Sequence, residues 1–78
     1  MRLPRGVSGD RLIRRLETLG YTVIRQKGSH VRLSHEGPPP HSISVARHDP
    51  LKIGTFHAIL AEVSRVRSIS IEGILDLL

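Results

Sequence analysis

The sequence predicts an α+β fold in which three consecutive strands form an antiparallel sheet flanked by helices. Apolar residues at helical spacing open the chain, three short segments rich in β-forming residues follow, and two further helical stripes close it. Strands joined by short links pair as an antiparallel meander. We therefore expect the order α-β-β-β-α-α, with the helices on one face of the sheet and the other face open to solvent.

The first helix is predicted over residues 9–19. Ser8 is a suitable N-cap, and Gly20 is typical of a residue that ends a helix in the left-handed conformation. The apolar residues recur at helical spacing, whereas the arginines fall largely off that stripe, which predicts an amphipathic helix. The stripe consists of Leu12, Ile13, Leu16 and Leu19, and the arginines are Arg11, Arg14 and Arg15.

Three strands are predicted over residues 21–26, 29–34 and 41–46. A Lys-Gly turn joins the first two strands. Residues 35–40 form a loop, because its three consecutive prolines cannot take part in a sheet ladder.

Two helices are predicted in the last third of the chain. The first begins near Gly54 and Thr55, and a polar link over residues 64–69 follows it. Ser70 can cap a short last helix, with Glu72 in the first turn, where the helix dipole favours a carboxylate. The two apolar stripes are Phe56, Ile59, Leu60 and Val63, then Ile71, Ile74, Leu75 and Leu78.

Length and composition indicate one small domain spanning residues 1–78. The chain has no cysteine, which excludes disulfides and thiolate zinc sites. It has no long apolar run, so we expect no transmembrane helix, no secretory signal and a cytoplasmic location. We also expect no cofactor and no metal site, because the histidines lack carboxylates at tight ligand spacing.

Positive charge is concentrated in the first half of the chain. Residues 1–34 hold eight basic and two acidic residues, whereas residues 35–78 hold four basic and five acidic residues. A basic half indicates an anionic partner, either a nucleic acid or an acidic protein. With only Tyr21 and Phe56 as aromatic residues, RNA recognition would be mostly electrostatic and directed to the backbone.

The Gly28-Ser29-His30 tripeptide leads into the second strand and carries the candidate chemistry. Period-two alternation points Val31 and Leu33 to one face, and His30 and Arg32 to the other. An imidazole transfers protons near neutral pH, and a guanidinium beside it binds phosphate. This pair suggests a protein that handles RNA and cuts it, although a surface histidine without a role fits the same position.

The neighbours of His30 are candidate RNA-binding residues. Lys27 and Arg32 flank the imidazole and would hold phosphate, while Gly28 and Ser29 would let an RNA backbone approach closely. The alternatives are a solvated basic face and an ordinary turn. The first-helix arginines could extend a phosphate track, and solvation explains them equally well.

In order along the chain, several segments resemble the HicA (YcfA-like) toxins. They are the Gly-Tyr pair at 20–21, the Gly-Ser-His tripeptide at 28–30, residues 48–55 with the sequence His-Asp-Pro-Leu-Lys-Ile-Gly-Thr, and the Ser-Ile-Glu segment at 70–72. The resemblance covers nearly the whole chain from Ser8. The loop at 36–40 is longer than this resemblance leads us to expect.

The resemblance implies a double-stranded-RNA-binding-domain-like fold. It also implies a ribosome-independent endonuclease that cuts single-stranded mRNA, as the toxin of a type II toxin–antitoxin pair. A HicB-like antitoxin would cover its active site. The catalytic histidine of the family corresponds to His30, and His48 and Lys52 would support the site.

Two rival functions remain open on the sequence. One is a non-catalytic RNA-binding module of the same fold. The other is an interaction protein whose basic face binds an acidic partner and has no affinity for RNA.

Overall fold

The computed structural model describes residues 3–76 and 78. Helix α1 is followed by three strands and two helices, which confirms the predicted α+β class and element order. The elements are α1 (Gly9–Thr18), β1 (Thr22–Lys27), β2 (His30–His35), β3 (His41–Ala46), α2 (Ile53–Arg67) and α3 (Ile71–Leu75). None of the helices in these residues is both long and apolar enough to cross a membrane.

The strands form an antiparallel sheet in the order β1-β2-β3. Gly28 adopts a left-handed φ of 58° in the two-residue turn between β1 and β2, a conformation that glycine adopts without steric cost. The hairpin between β2 and β3 closes with His35 paired to His41, so residues 36–40 form the connecting loop.

The hydrophobic core lies between the helices and one face of the sheet. Phe56, predicted as a core residue, is 1% exposed. The sheet contributes alternate residues of β2 and β3, and the helices contribute their predicted stripes. The buried sheet residues are Val31, Leu33, Ile43 and Val45, and the most buried helix residues are Leu12, Leu16, Phe56, Leu60, Val63 and Ile74. Burial on one sheet face leaves the other face free.

Helix α2 is longer than the sequence predicted. The predicted polar link at 64–69 is wrong, because the helix continues to Arg67 and ends at Ser68, which has a left-handed φ of 56°. No glycine or proline interrupts residues 64–67, and Arg65 and Arg67 favour the last turn through the helix dipole. Ser70 caps α3 as predicted, and its hydroxyl accepts a hydrogen bond from the Gly73 backbone N–H at 3.0 Å.

Arg15 does not lie on the solvent face of α1, which corrects the expectation that it is part of a surface track. It is 9% exposed, and its Nε and Nη2 donate to the carbonyl oxygens of Ile74 at 2.6 Å and Gly73 at 2.9 Å. Its Nη1 donates to Thr18 Oγ1 at 2.7 Å. The last carbonyl groups of a helix have no hydrogen-bond donor within the helix. At the end of α3, the Arg15 guanidinium supplies these donors.

Candidate nucleic-acid interface

The open face of the sheet presents His30 and Arg32 to solvent, as the alternation of β2 predicts. Both residues are exposed, whereas Val31 and Leu33, which alternate with them along the strand, are buried against the helices. Burial of the two aliphatic residues therefore determines the orientation of the imidazole and the guanidinium. The structure brings these polar groups to a surface that an extended anionic chain can reach.

The pairing register places a basic residue of β1 opposite each of these two residues. Lys27 pairs with His30, and Arg25 pairs with Arg32. The register shifts between Val23 and Arg25, so that Ile24 forms a β-bulge in the edge strand. Without this bulge Arg25 would be opposite Val31, whose side chain points into the core.

Sequence reasoning missed Arg25 as a site residue. Period-two alternation within β1 carries no information about a bulge, and the bulge becomes visible only when β1 is paired with β2. The one available signal was compositional, since Arg25 adds a third cation to a short segment that already holds Lys27 and Arg32.

The turn and the adjoining strand ends surround an open cavity of about 780 Å³. His30 and the RNA-binding residues predicted beside it all line this cavity, together with Arg25 and Ser44. Among the residues that the structure describes, none with a side-chain carboxylate lines the cavity; the lining residues are Arg25, Lys27, Gly28, Ser29, His30, Val31, Arg32 and Ser44. Cations that line a concave surface give it a positive potential that attracts phosphate.

Ser44 restrains the guanidinium of Arg32. Arg32 Nη1 donates to Ser44 Oγ at 3.0 Å, and the two residues are direct partners across β2 and β3. Sequence reasoning did not single out this serine, because its role depends on the register of β3. The interaction holds the planar guanidinium over the open face.

The two residues predicted to support the site lie outside this cavity. His48 is exposed, and its carbonyl oxygen accepts a hydrogen bond from the Gly9 N–H at 2.8 Å. Lys52 is the N-cap of α2 and is also exposed. Arg47, the residue before His48, donates its backbone N–H to the Ser29 carbonyl at 2.7 Å, next to the cavity.

A second polar cluster lies at the opposite end of the sheet. His41 Nδ1 shares a hydrogen bond of 2.7 Å with the Tyr21 hydroxyl, and its Nε2 is 2.6 Å from Glu62 Oε2. His35 Nδ1 accepts hydrogen bonds from the Gly37 N–H at 2.8 Å and from Arg67 Nη1 at 2.6 Å. These contacts fasten α2 to the β2–β3 hairpin.

Burial and neighbouring charges in this cluster change the pKa of Tyr21. Burial raises the pKa of Tyr21, and Glu62 raises it further, while Arg67 lowers it. Tyr21 is 2% exposed, and its hydroxyl is occupied by the hydrogen bond to His41. In the part of the chain that the structure describes, no group of three or more histidines and carboxylates could hold a metal ion.

The fold and this surface define a small α+β protein with a basic sheet face that carries one histidine. Residues 9–64 match the model of the HicA toxin family of bacterial toxin–antitoxin systems. No curated protein and no solved structure matches the chain. The match covers more than half of the 78 residues, so the chain belongs to the HicA toxin family and is a toxin of a toxin–antitoxin system.

Proposed function

We propose that this toxin is an mRNA endonuclease that works without the ribosome and uses His30 for proton transfer. The observation that carries the proposal is the position of His30, exposed on the open sheet face with Lys27 directly across from it. In a chain of the HicA toxin family, this arrangement supplies a proton-transfer group and phosphate-binding cations in the same cavity.

The proposed reaction needs no metal ion. The ribose 2′-oxygen attacks the adjacent phosphorus, the bond from phosphorus to the 5′-oxygen breaks, and a 2′,3′-cyclic phosphate and a 5′-hydroxyl end form. The proton lost by the 2′-hydroxyl and the proton gained by the leaving 5′-oxygen balance. His30 performs one of these transfers and water the other. General acid–base catalysis of this kind raises the reaction rate about 10²–10⁴-fold.

Lys27 and the turn complete the proposed site. Lys27 would stabilise negative charge on the phosphate that reacts, because it pairs with His30 in the sheet. Gly28 lacks a side chain and has open space around its Cα, which lets an RNA backbone come close to the turn. Ser29 can donate its hydroxyl to a phosphate oxygen.

The test is cleavage of a long single-stranded RNA in buffer with EDTA. We expect the wild-type protein to cut and His30→Ala to fail. His57→Ala is the matched control, because it removes an exposed imidazole from α2, and we expect it to cut like wild type. Cleavage by His30→Ala at the wild-type rate would overturn the assignment of His30.

A non-catalytic RNA-binding module is the second candidate function. It is favoured by one observation, which is that the cavity holds one imidazole and no carboxylate to share the proton transfers. This alternative predicts binding that weakens with salt, without cutting by either wild type or His30→Ala.

We also propose that a HicB-like antitoxin inhibits the toxin by covering the open face. A partner with acidic residues would complement Lys27, Arg25 and Arg32, which accelerates association and favours this partner over others. Charge-reversal variants such as Lys27→Glu should slow association with the antitoxin, whereas Arg65→Glu on α2 should not. Equal effects of the two variants would place the antitoxin elsewhere.

A further inference from the structure

The pairing register arranges the open face into rows that run across the strands. In one row Lys27 pairs with His30, which pairs in turn with Ala46. In the neighbouring row Arg25 pairs with Arg32, and Arg32 pairs with Ser44. The rows are two residues apart along each strand, or roughly 7 Å. This distance leaves room for two separate phosphate groups.

The second row contains a pair of like charges. Arg25 and Arg32 lie directly opposite each other, an arrangement that destabilises an isolated sheet. Among residues 3–76 and 78, the close contacts of basic with acidic side chains join Arg47 to Asp10 and His41 to Glu62, and neither contact includes these arginines. The hydrogen-bond partner of Arg32 in this row, Ser44, is neutral. A bound anion would relieve the repulsion between the two guanidinium groups.

The chemistry of the pair points to a phosphate. Each guanidinium offers a planar fork of N–H donors that matches two phosphate oxygens. Both arginines line the cavity that also contains His30, so a ligand on them is close to the imidazole. The bulge at Ile24 is what brings Arg25 to this face, and bulges often redirect side chains next to functional sites.

We propose that Arg25 and Arg32 form a second phosphate subsite, which holds the RNA phosphate next to the one that is cut. Ser44 is a positioning residue that orients Arg32. The proposal rests on the proposed function only in naming the phosphate at His30 as the one that reacts. It assigns Lys27 to the reacting phosphate and the two arginines to its neighbour.

The experiment uses short oligonucleotides with a single neutral methylphosphonate linkage. The sequence of the oligonucleotide is taken from the sites at which the protein cuts a long RNA. The neutral linkage replaces the phosphate that lies next to the cut one, either on its 5′ side or on its 3′ side. Binding is measured with His30→Ala so that the oligonucleotide remains intact. We expect one of the two replacements to weaken binding about tenfold, as when a charge-assisted hydrogen bond is lost.

The decisive comparison adds the arginine variants to the His30→Ala background. Arg25→Ala and Arg32→Ala should each weaken binding of the normal oligonucleotide and reduce the penalty of that same neutral linkage, and the double variant should abolish it. Lys27→Ala and the control Arg65→Ala should leave the penalty in place. If the penalty is unchanged in both single variants and in the double variant, or if neither replacement weakens binding, the subsite is refuted.

Kinetics of the active protein separate this proposal from the proposed function. If wild type cuts, Arg25→Ala and Arg32→Ala should raise KM and change kcat little, because they contact a phosphate that does not react. Ser44→Ala should raise KM and Ser44→Thr should restore it, since threonine keeps the hydroxyl. If wild type does not cut, the endonuclease proposal fails, and a scan of neutral linkages along a bound oligonucleotide still tests the subsite.

Discussion

At the scale of single residues, the charged side chain of Arg15 stabilises the fold by joining α1 to α3. Its guanidinium is almost fully buried and donates to the carbonyls of Ile74 and Gly73 at the end of α3. Removing the donor from the buried Ile74 carbonyl costs more than removing an exposed charge, because that carbonyl loses its partner without regaining water.

Arg15→Ala should therefore lower the free energy of unfolding by about 2–3 kcal/mol. The neighbouring Arg11→Ala removes an exposed arginine from the same helix and should change stability by less than about 0.5 kcal/mol. Urea denaturation of both variants measures the difference. Equal stability of the two would show that the contacts to α3 contribute little.

At the scale of elements, the start of α1 packs directly against the end of β3. A Cβ atom on Gly9 would lie 1.9 Å from the Ala46 carbonyl oxygen, so any side chain there forces the two elements apart. The Gly9 N–H also donates to the His48 carbonyl at 2.8 Å, which fixes this approach. The close contact positions the strand end that carries Ala46, the partner of His30.

Gly9→Ala should destabilise the fold by about 1–3 kcal/mol, the usual cost of overpacking a close contact. Gly54→Ala is the matched control, because Gly54 lies in the first turn of α2 with open space around its Cα. That substitution should stabilise by up to about 1 kcal/mol through helix propensity. Thermal unfolding compares the two variants, and a loss of stability in both would contradict this account of α2.

At the scale of the whole molecule, two basic surfaces lie on opposite sides of the sheet. Lys27, Arg25 and Arg32 occupy the open face, whereas Arg11 and Arg14 lie on α1, which packs on the core side. A single RNA strand bound on the open face contacts the first group and not the second.

The salt dependence of RNA binding distinguishes these surfaces. Two phosphates bound on the open face give a slope of log K against log salt of about −1.4 for single-stranded RNA. Arg32→Ala should make the slope shallower, by at most one phosphate contact because Arg25 remains at the same phosphate, and Arg14→Ala should leave it unchanged. Binding by His30→Ala at several salt concentrations provides the measurement. A shallower slope for Arg14→Ala would extend the RNA track onto α1.

The sequence by itself determined the element order, the apolar stripes that form the core and the exposed face of β2. These features depend on local periodicity, and His30 and Arg32 project outward because Val31 and Leu33 are buried. The resemblance to HicA toxins was also readable in the sequence, and the family match confirms it.

The tertiary structure alone decided the features that depend on residues far apart in the chain. The bulge that aligns Arg25 with Arg32 exists only in the register of two paired strands. Arg15 is buried because α3 folds back onto α1, 58 and 59 residues later in the chain. The contact of His41 with Glu62 likewise requires α2 to pack beside β3. The periodicity of one segment does not show which other segment it packs against in the fold.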